Sequence, residues 1–564
     1  MILRCPHCQT SVWVKSDGQC PACRKIVPDD VRSAASDRTG AEGAAASTAI
    51  PSTEAATQPK AISSPPASRI APIGAVVVFI GLMLGVIFYL TKPAKSTASA
   101  KDEAAVMEVT SDEGAAVAPA APPARKAIDP DTIAAYEALG ATYGGFVDKS
   151  GLNIGEVINV FEPGPDAASQ QLPAFEFRPR PAGGLPPLPP VDVAFGLNLD
   201  SMEFNDDDLR QLAPLENLVT LNLGFAQQIS DAGLESLHGL KRLSHIDLAS
   251  QLVTDAGLAT IGRMEGVRSL RFANMPIGDI GLTNLQPLEN LERLDLVGTY
   301  ISNAGLKELQ VFKKLSELRL GNTQISDEGL VHLRPMSELR SLSISGTGVT
   351  DAGLVQLEPL SGLTKLYLMM TNVTDAGMDS VAKLTGLTAL DLSFTNIGDE
   401  GVAKHKPLKR LAHLDLSHTK LGDAGARHLF SLPKLVELNL NDAEISDAGL
   451  EGIEALQELE ELSLNSTGVG DAGVARLSNL KNLAVLGLNR TRVTDEGLMH
   501  LQPLAKLTWL DLGNTAITDD GLKRLQSMTQ LKVLRVDYTQ VTEAGVAAIR
   551  KALPKCEVSH LHSP

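Results

Sequence analysis

Large rings are scarce in this chain. Only 4% of its 564 residues are aromatic, with two Trp and six Tyr, although 43% are hydrophobic. Rings therefore cannot fill the core, and leucine must do so. Cysteine is scarce too. Four of the five lie within the first 23 residues and Cys556 stands alone near the other end, which excludes a disulfide framework. Positive charge is short after the first segment. Residues 1–70 carry eight Lys/Arg against six Asp/Glu, so the net charge of −17 falls wholly on the remainder. An acidic large domain argues against nucleic acid, which wants a basic surface. Residues 1–24 are polar and lack an apolar h-region, so no secretory signal is predicted there. No phosphate loop, nucleophile elbow or paired-carboxylate motif stands out, and the sequence predicts no enzyme.

The early cysteines form a pattern. "CPHCQTSVWVKSDGQCPAC" places Cys5, Cys8, Cys20 and Cys23 as two C-x2-C knuckles. Two residues between cysteines let both thiolates of a tight turn reach one ion, and two knuckles complete a tetrahedron, so structural Zn2+ is expected. The competing reading is two disulfides or a redox pair. Against it, so short a segment cannot build a core unaided, whereas metal binding can supply its folding energy. "SVWV" reads as a short strand, and His7 as an exposed residue rather than a ligand. The segment resembles the small zinc ribbons found at the N-terminus of bacterial proteins.

Residues 29–69 are an Ala/Ser/Thr/Pro/Gly linker. Then comes "IAPIGAVVVFIGLMLGVIFYL", Ile70 to Leu90, 21 residues without a charge. That suffices to cross a bilayer, and a transmembrane helix is expected over 70–91. A buried soluble helix would need something to pack against, and linkers flank the run on both sides. Gly81 and Gly85 give a small-residue spacing suited to helix approach. Flanking charge does not decide the orientation, since Lys60 and Arg69 face Lys92, Lys95 and Lys101 across the run. Thiolate chemistry favours a cytosolic ribbon, which puts the large domain on the extracytoplasmic side of the cell membrane. Residues 92–128 read as a flexible stalk, and 129–195 as an N-terminal cap opened by the capped helix that starts at Asp129. "LPPLPP", Leu185 to Pro190, is a stiff connector or an SH3-type ligand.

From Gly196 to residue 546 the chain repeats. The acidic position recurs at Asp206, Asp231, Asp255, Asp279, Asn303, Asp327 and so on to Glu543. The first step is 25 residues, every later one is 24, and there are fifteen turns. A fixed period of this kind defines a solenoid. In "LSELRLGNTQISDEGL", Leu315 to Leu330, Leu318 and Leu320 alternate with Glu317 and Arg319, which is strand periodicity. Threonine follows at the bend in ten turns, Thr323 among them, where a stacked hydroxyl can bond neighbouring backbone. Ser, Thr, Gly or Asn precedes the acid in every turn, which is N-cap chemistry. The acid then sits in the first helical turn, where the dipole favours negative charge. The glycine two places on permits close packing against the adjacent turn. So regular an acid is architecture rather than a repeated active site.

This pattern resembles the leucine-rich repeat family over residues 196–546, and its cysteine-containing subclass most, with threonine in the cysteine place. The resemblance implies an α/β solenoid, a horseshoe with a parallel sheet on the concave face and helices on the convex one. Residues 547–564 resemble a terminal helix and strand that cap the open end, with Cys556 a buried cap residue. Eukaryotic members often serve as ubiquitin-ligase adaptors, but no F-box-like segment is present here.

Repeat folds bind on their concave strands. Tyr367, Met369, Met370 and Phe394 are predicted to form an exposed central cluster, with Lys365 and Asp391 at its rim. A second group comprises Arg490, Trp509, Asp511, Arg535 and Tyr538. The competing reading is that scattered apolar residues on a large surface mean little. His413, Asp415 and His418 fall on one turn and are weighed as metal ligands, but the set lacks a partner on a second turn. Arg293, Asp295, Glu317 and Arg319 alternate in sign and are expected to pair across strands. The sequence therefore predicts a single-pass membrane protein that recognises a protein or a cell-surface polymer. The alternative is a regulatory protein or adaptor whose ribbon binds nucleic acid or a cytosolic partner.

Overall fold

The computed structural model describes residues 2–4, 11–13, 127–148, 159–170, 172–178, 181–200, 204–224, 228–249 and 252–561. The chain forms two compact units, Met1–Val77 and Val78–Pro564. In the first, β1 (Ile2–Arg4) pairs antiparallel with β2 (Ser11–Trp13). The four early cysteines and the apolar run 70–91 lie outside the described residues. No helix among the described residues is long and apolar enough to cross a membrane.

The second unit starts with a small mixed layer. Helix α1 (Pro130–Ala138) begins where the Asp129 carboxylate accepts the Thr132 amide at 2.8 Å. It leads into β3 (Ala141–Asp148), which pairs antiparallel with both β4 (Asn159–Pro163) and β5 (Leu172–Phe177). Tyr136 of α1 stacks on Phe175 at 4.0 Å between centroids, and its hydroxyl donates to the Pro189 carbonyl at 3.0 Å. The Pro-rich segment is thus part of this layer: Leu185 and Leu188 are buried, and the Leu185 amide donates to Asp208 at 2.7 Å. Packing of that kind matches a connector, not a free ligand.

From β5 the sheet continues in parallel through β6 (Phe195–Asn198) and fifteen further strands, Leu218–Asn222 to Glu557–Ser559. Neighbouring turns pair at a constant 24-residue offset, as in Glu317↔Ser341 and Arg319↔Ser343. The middle residue of each strand is buried: Leu318, Leu342 and Leu366 are all fully covered. Each such leucine contributes roughly 1.5–3 kcal/mol by leaving water. The turns therefore share one continuous leucine core.

The convex elements are shorter than helices usually are. Asp327–Leu330 is a single α-turn that runs into the 3-10 turn Val331–Leu333, and the longest helices in the intermediate turns have seven residues. The reason is the spacing of the buried residues Leu330, Leu333, Met336 and Leu339. A three-residue period matches 3-10 geometry, not the 3.6 of an α-helix.

Candidate functional site

The repeated acid is a joint between turns. The Asp327 carboxylate accepts the backbone amide of Thr350 at 2.7 Å and its hydroxyl at 2.6 Å, one turn later. The same backbone contact, at 2.6–2.9 Å, links all fourteen successive pairs from Asp206–Ser230 to Asp519–Thr542. The helix starts of adjacent turns are thereby stitched together. The invariant glycine makes room for the stitch: a Cβ at Gly353 would stand 2.4 Å from Asp327 Oδ1. The first turn has no preceding acid, and Asp208 in the glycine place accepts Leu185 of the cap instead.

Two details differ from the sequence reading. Each of the ten bend threonines donates to the carbonyl three residues back in its own turn, at 2.5–2.7 Å, so no ladder passes through them. Ser326, extended at the N-cap, makes no side-chain cap bond. The turn before it carries Asn303 in the acid's place, whose amide donates to the Ser326 hydroxyl at 2.8 Å, and that hydroxyl donates to Glu328. Where an aspartate precedes, as at Thr350, the hydroxyl donates to it and still accepts the Ala352 amide at 3.3 Å.

With the acids absorbed by the frame, chemistry is left to the outward rows of the strands. In the central region Tyr367, Asp391 and Asp415 stand side by side in register. Tyr367 and Asp391 are buried, 7% and 6% exposed, so neither is an exposed or rim residue as expected. Neighbouring strands only about 4.8 Å apart cover one another's side chains. Burial pushes the Tyr367 hydroxyl up to about 12. Burial, and then the Asp415 charge, push Asp391 up to about 7. Burial raises Asp415 as well, although the Ser417 hydroxyl and amide and the Asn439 amide bond it. Met369, Met370 and Phe394 are half-buried at the strand ends, and Phe394 stacks on His418 at 4.0 Å.

Those strand ends share an unusual backbone. At twelve consecutive turns, from Asn274 to Tyr538, the residue three after the strand has φ between 54° and 71°. Glycine or asparagine occupies five of these places and is tolerant of this left-handed region. Met370, Phe394, His418, Arg490 and Tyr538 occupy it as well, at a cost on the order of 1 kcal/mol each. Four of those five are predicted site residues.

The second predicted group divides. Trp509 is buried, 3% exposed, with Arg535 over its ring at 5.5 Å and its indole N–H unpartnered. Asp511 is buried, accepts the Gly513 amide at 2.9 Å and is raised by that burial. Arg490 and Tyr538 are exposed at the corner. A hollow of about 310 Å³ lies between Trp509, Val485, Gly487, Glu461 and Glu437. The set His413, Asp415 and His418 does not converge: His413 meets Glu437 at 3.3 Å and His418 meets Asp442 at 3.4 Å. Among the described residues no three His, Cys, Asp or Glu side chains gather as a metal site. Burial pushes the Cys556 thiol up to about 11, which suits a cap residue and not a nucleophile.

A third region was not foreseen as a site. Toward the N-terminal end a hollow of about 570 Å³, open to solvent, is lined by His245, Asp247, Arg271, Arg293, Asp295 and Glu317, with Phe146 of β3 at one side. Arg271 bridges Asp247 at 2.8 Å and Asp295 at 3.4 Å on the flanking strands. Arg319 meets Glu317 at 2.9 Å in its own strand, and Arg293 reaches the same carboxylate from the next at 3.9 Å. Aligning the turns at 24 residues places Asp247, Arg271, Asp295 and Arg319 in one row, so the signal was available. Phe146 was not, because it comes from the cap.

The model of the Leucine Rich repeat family matches residues 215–237, 313–333, 383–404, 411–430, 431–453 and 504–525. No curated protein matches the chain. Among solved structures, an internalin of Listeria monocytogenes is 24% identical, covering 58% of this chain and 87% of that one, with a TM-score of 0.43. A leucine-rich-repeat protein of Leptospira interrogans is 20% identical over 65% and 96% of the two chains, with a TM-score of 0.46. The ectodomain of a plant membrane receptor kinase of Arabidopsis thaliana, in complex with CASPARIAN STRIP INTEGRITY FACTOR 2, is 20% identical over 65% and 50%, with a TM-score of 0.40. The 24-residue turns of this chain, with their parallel strands and short convex helices, are leucine-rich repeats.

Proposed function

We propose that this chain is a membrane-anchored recognition protein that binds a protein or cell-surface polymer on the concave side of its repeats, and is not an enzyme. One observation carries the reading: bulky side chains occupy a left-handed corner that glycine or asparagine fills in other turns. Met370, Phe394, Arg490 and Tyr538 are held at φ of 56°, 55°, 56° and 57° along one edge of the strands. Backbone cost of that kind is kept where a side chain must be presented. The 21-residue uncharged run from Ile70 supports the anchor, and the two C-x2-C knuckles at Cys5, Cys8, Cys20 and Cys23 support a structural zinc ribbon on the cytosolic side. The repeats then face outward.

The test is capture of partners from the native envelope by the full chain and by a Tyr367→Ala/Phe394→Ala variant. Loss of capture by the variant is expected, with its circular dichroism melt otherwise retained. Equal capture by both would remove the central region from the interface.

A further inference from the structure

The outward rows are not uniform in charge. Arg271, Arg293 and Arg319 balance Asp247, Asp295 and Glu317 on the strands His245–Asp247 to Glu317–Arg319, and these groups are engaged with one another. The four consecutive strands Ala389–Asp391, His413–Asp415, Glu437–Asn439 and Glu461–Ser463 carry four carboxylates and neither lysine nor arginine. Within that stretch the register sets Asp391 directly beside Asp415. Both bonds to Asp391, from the Ser393 amide at 2.9 Å and hydroxyl at 2.6 Å, go to Oδ1, which leaves Oδ2 without a donor among the described residues. A second, separate group points the same way. Tyr367, more than nine-tenths buried, adjoins Asp391 in the same row, and its hydroxyl has no hydrogen-bond partner among the described residues. That hydroxyl feels the charges of Arg319, Glu317 and Asp391, so it lies among them.

We propose that this acidic stretch, centred on Asp391 and Asp415 beside the Tyr367 hydroxyl, binds lysine or arginine side chains of a basic segment of a partner protein. The assignment rests on the concave-recognition reading above. A cation set against two adjoining carboxylates relieves their repulsion, and a guanidinium or ammonium brings several donors to oxygens that lack them. A metal ion fits less well, because no third ligand gathers at the pair. The Phe394–His418 stack and half-buried Met369 and Met370 offer apolar surface to the aliphatic stem of such a side chain.

The experiment measures fluorescence anisotropy of labelled Arg-Gly, Lys-Gly, Glu-Gly and Ser-Gly dodecapeptides with the full chain. Basic peptides are expected to bind, and to bind more weakly as salt rises. The Asp391→Asn/Asp415→Asn variant should weaken them at least tenfold. Tyr367→Phe, which deletes only the hydroxyl, should weaken them about threefold, the worth of one hydrogen bond. Glu400→Gln on the convex side should change nothing. Binding should also tighten from pH 6 to pH 8. The groups that face Asp391, namely Lys365 and Tyr367 on one side and His413 and Asp415 on the other, with Glu437 beyond, then leave the cluster more negative. Melts by circular dichroism separate lost binding from lost fold, and Tyr367→Phe still decides the matter where the double variant unfolds. Basic-peptide binding that both variants keep in full overturns the assignment. So does preferential capture of the acidic or neutral peptides, or binding of calcium alone. In each of these cases the concave reading stands unless the Tyr367→Ala/Phe394→Ala chain also captures its partners undiminished.

Discussion

Gly497→Ala isolates the stitch between turns. A Cβ at Gly497 would stand 2.5 Å from Asp471 Oδ1 and no nearer than 3.3 Å to any other neighbouring atom. The carboxylate must therefore swing away. In doing so it loses the Thr494 amide at 2.8 Å and the Thr494 hydroxyl at 2.6 Å. Hydrogen bonds to a charged group are worth about 1.5–3 kcal/mol each, and partial exposure brings the pair to about 2–4 kcal/mol. Alanine returns up to about 1 kcal/mol over glycine inside a helix, so the net cost should be about 1–3 kcal/mol. In an Asp471→Ala background the clash is gone, and the same Gly497→Ala change should be neutral or stabilising by up to about 1 kcal/mol. The double-mutant cycle should thus show a coupling of about 2–4 kcal/mol. Solenoids unfold in parts, so urea unfolding should be joined to amide hydrogen exchange at residues 494–498. An equal cost of Gly497→Ala in both backgrounds would refute the reasoning.

Other perturbations give further expectations. Asp391 titrates near 7 in the fold against about 3.9 when unfolded, so the folded state holds an extra proton between those values. Its contribution to stability is therefore full below about pH 4 and is lost as pH rises toward 7, and Asp391→Asn should flatten that slope by a few kcal/mol at most. Asp519 has the opposite sign: bonds from Thr542 hold its carboxyl below the usual range, so its contribution is present above about pH 4 and lost on further acidification. Acid melts of the Asp519→Asn chain should lack that part of the transition. Phe394→Gly should recover on the order of 1 kcal/mol of backbone cost and lose the His418 stack, so denaturant midpoints should move little while partner capture falls. Chelation of zinc should unfold residues 1–25, and a ribbon that keeps its fold by NMR without metal would disprove the site.

The frame was largely legible in the sequence because its signals are local and periodic. Leu318 and Leu320 announce the strand, and the Ser or Thr before each acid announces a helix start. The partner of the acid was hidden for a geometrical reason. Thr350 sits next to Asp351 in the chain, yet its hydroxyl bonds Asp327, 23 residues back, and only the pitch of the solenoid brings them together. The glycine gave the close approach away but not the atom it admits. Exposure was the harder matter. Tyr367 and Trp509 alternate outward as a strand pattern requires, but closely spaced neighbours cover them, and that depends on which residues lie beside them across turns. The left-handed corner at Met370 and Phe394 had no sequence signature, since glycine or asparagine marks it only in other turns.

The central claim is that recognition takes place on the concave side, and site-specific photo-crosslinking tests it most directly. A benzophenone side chain placed at Phe394, on the corner of the strands, should yield a covalent adduct with the partner in intact envelopes. The same probe at Ile280, 68% exposed on a convex helix, should yield none. Adducts from position 280 with none from 394 would contradict the account.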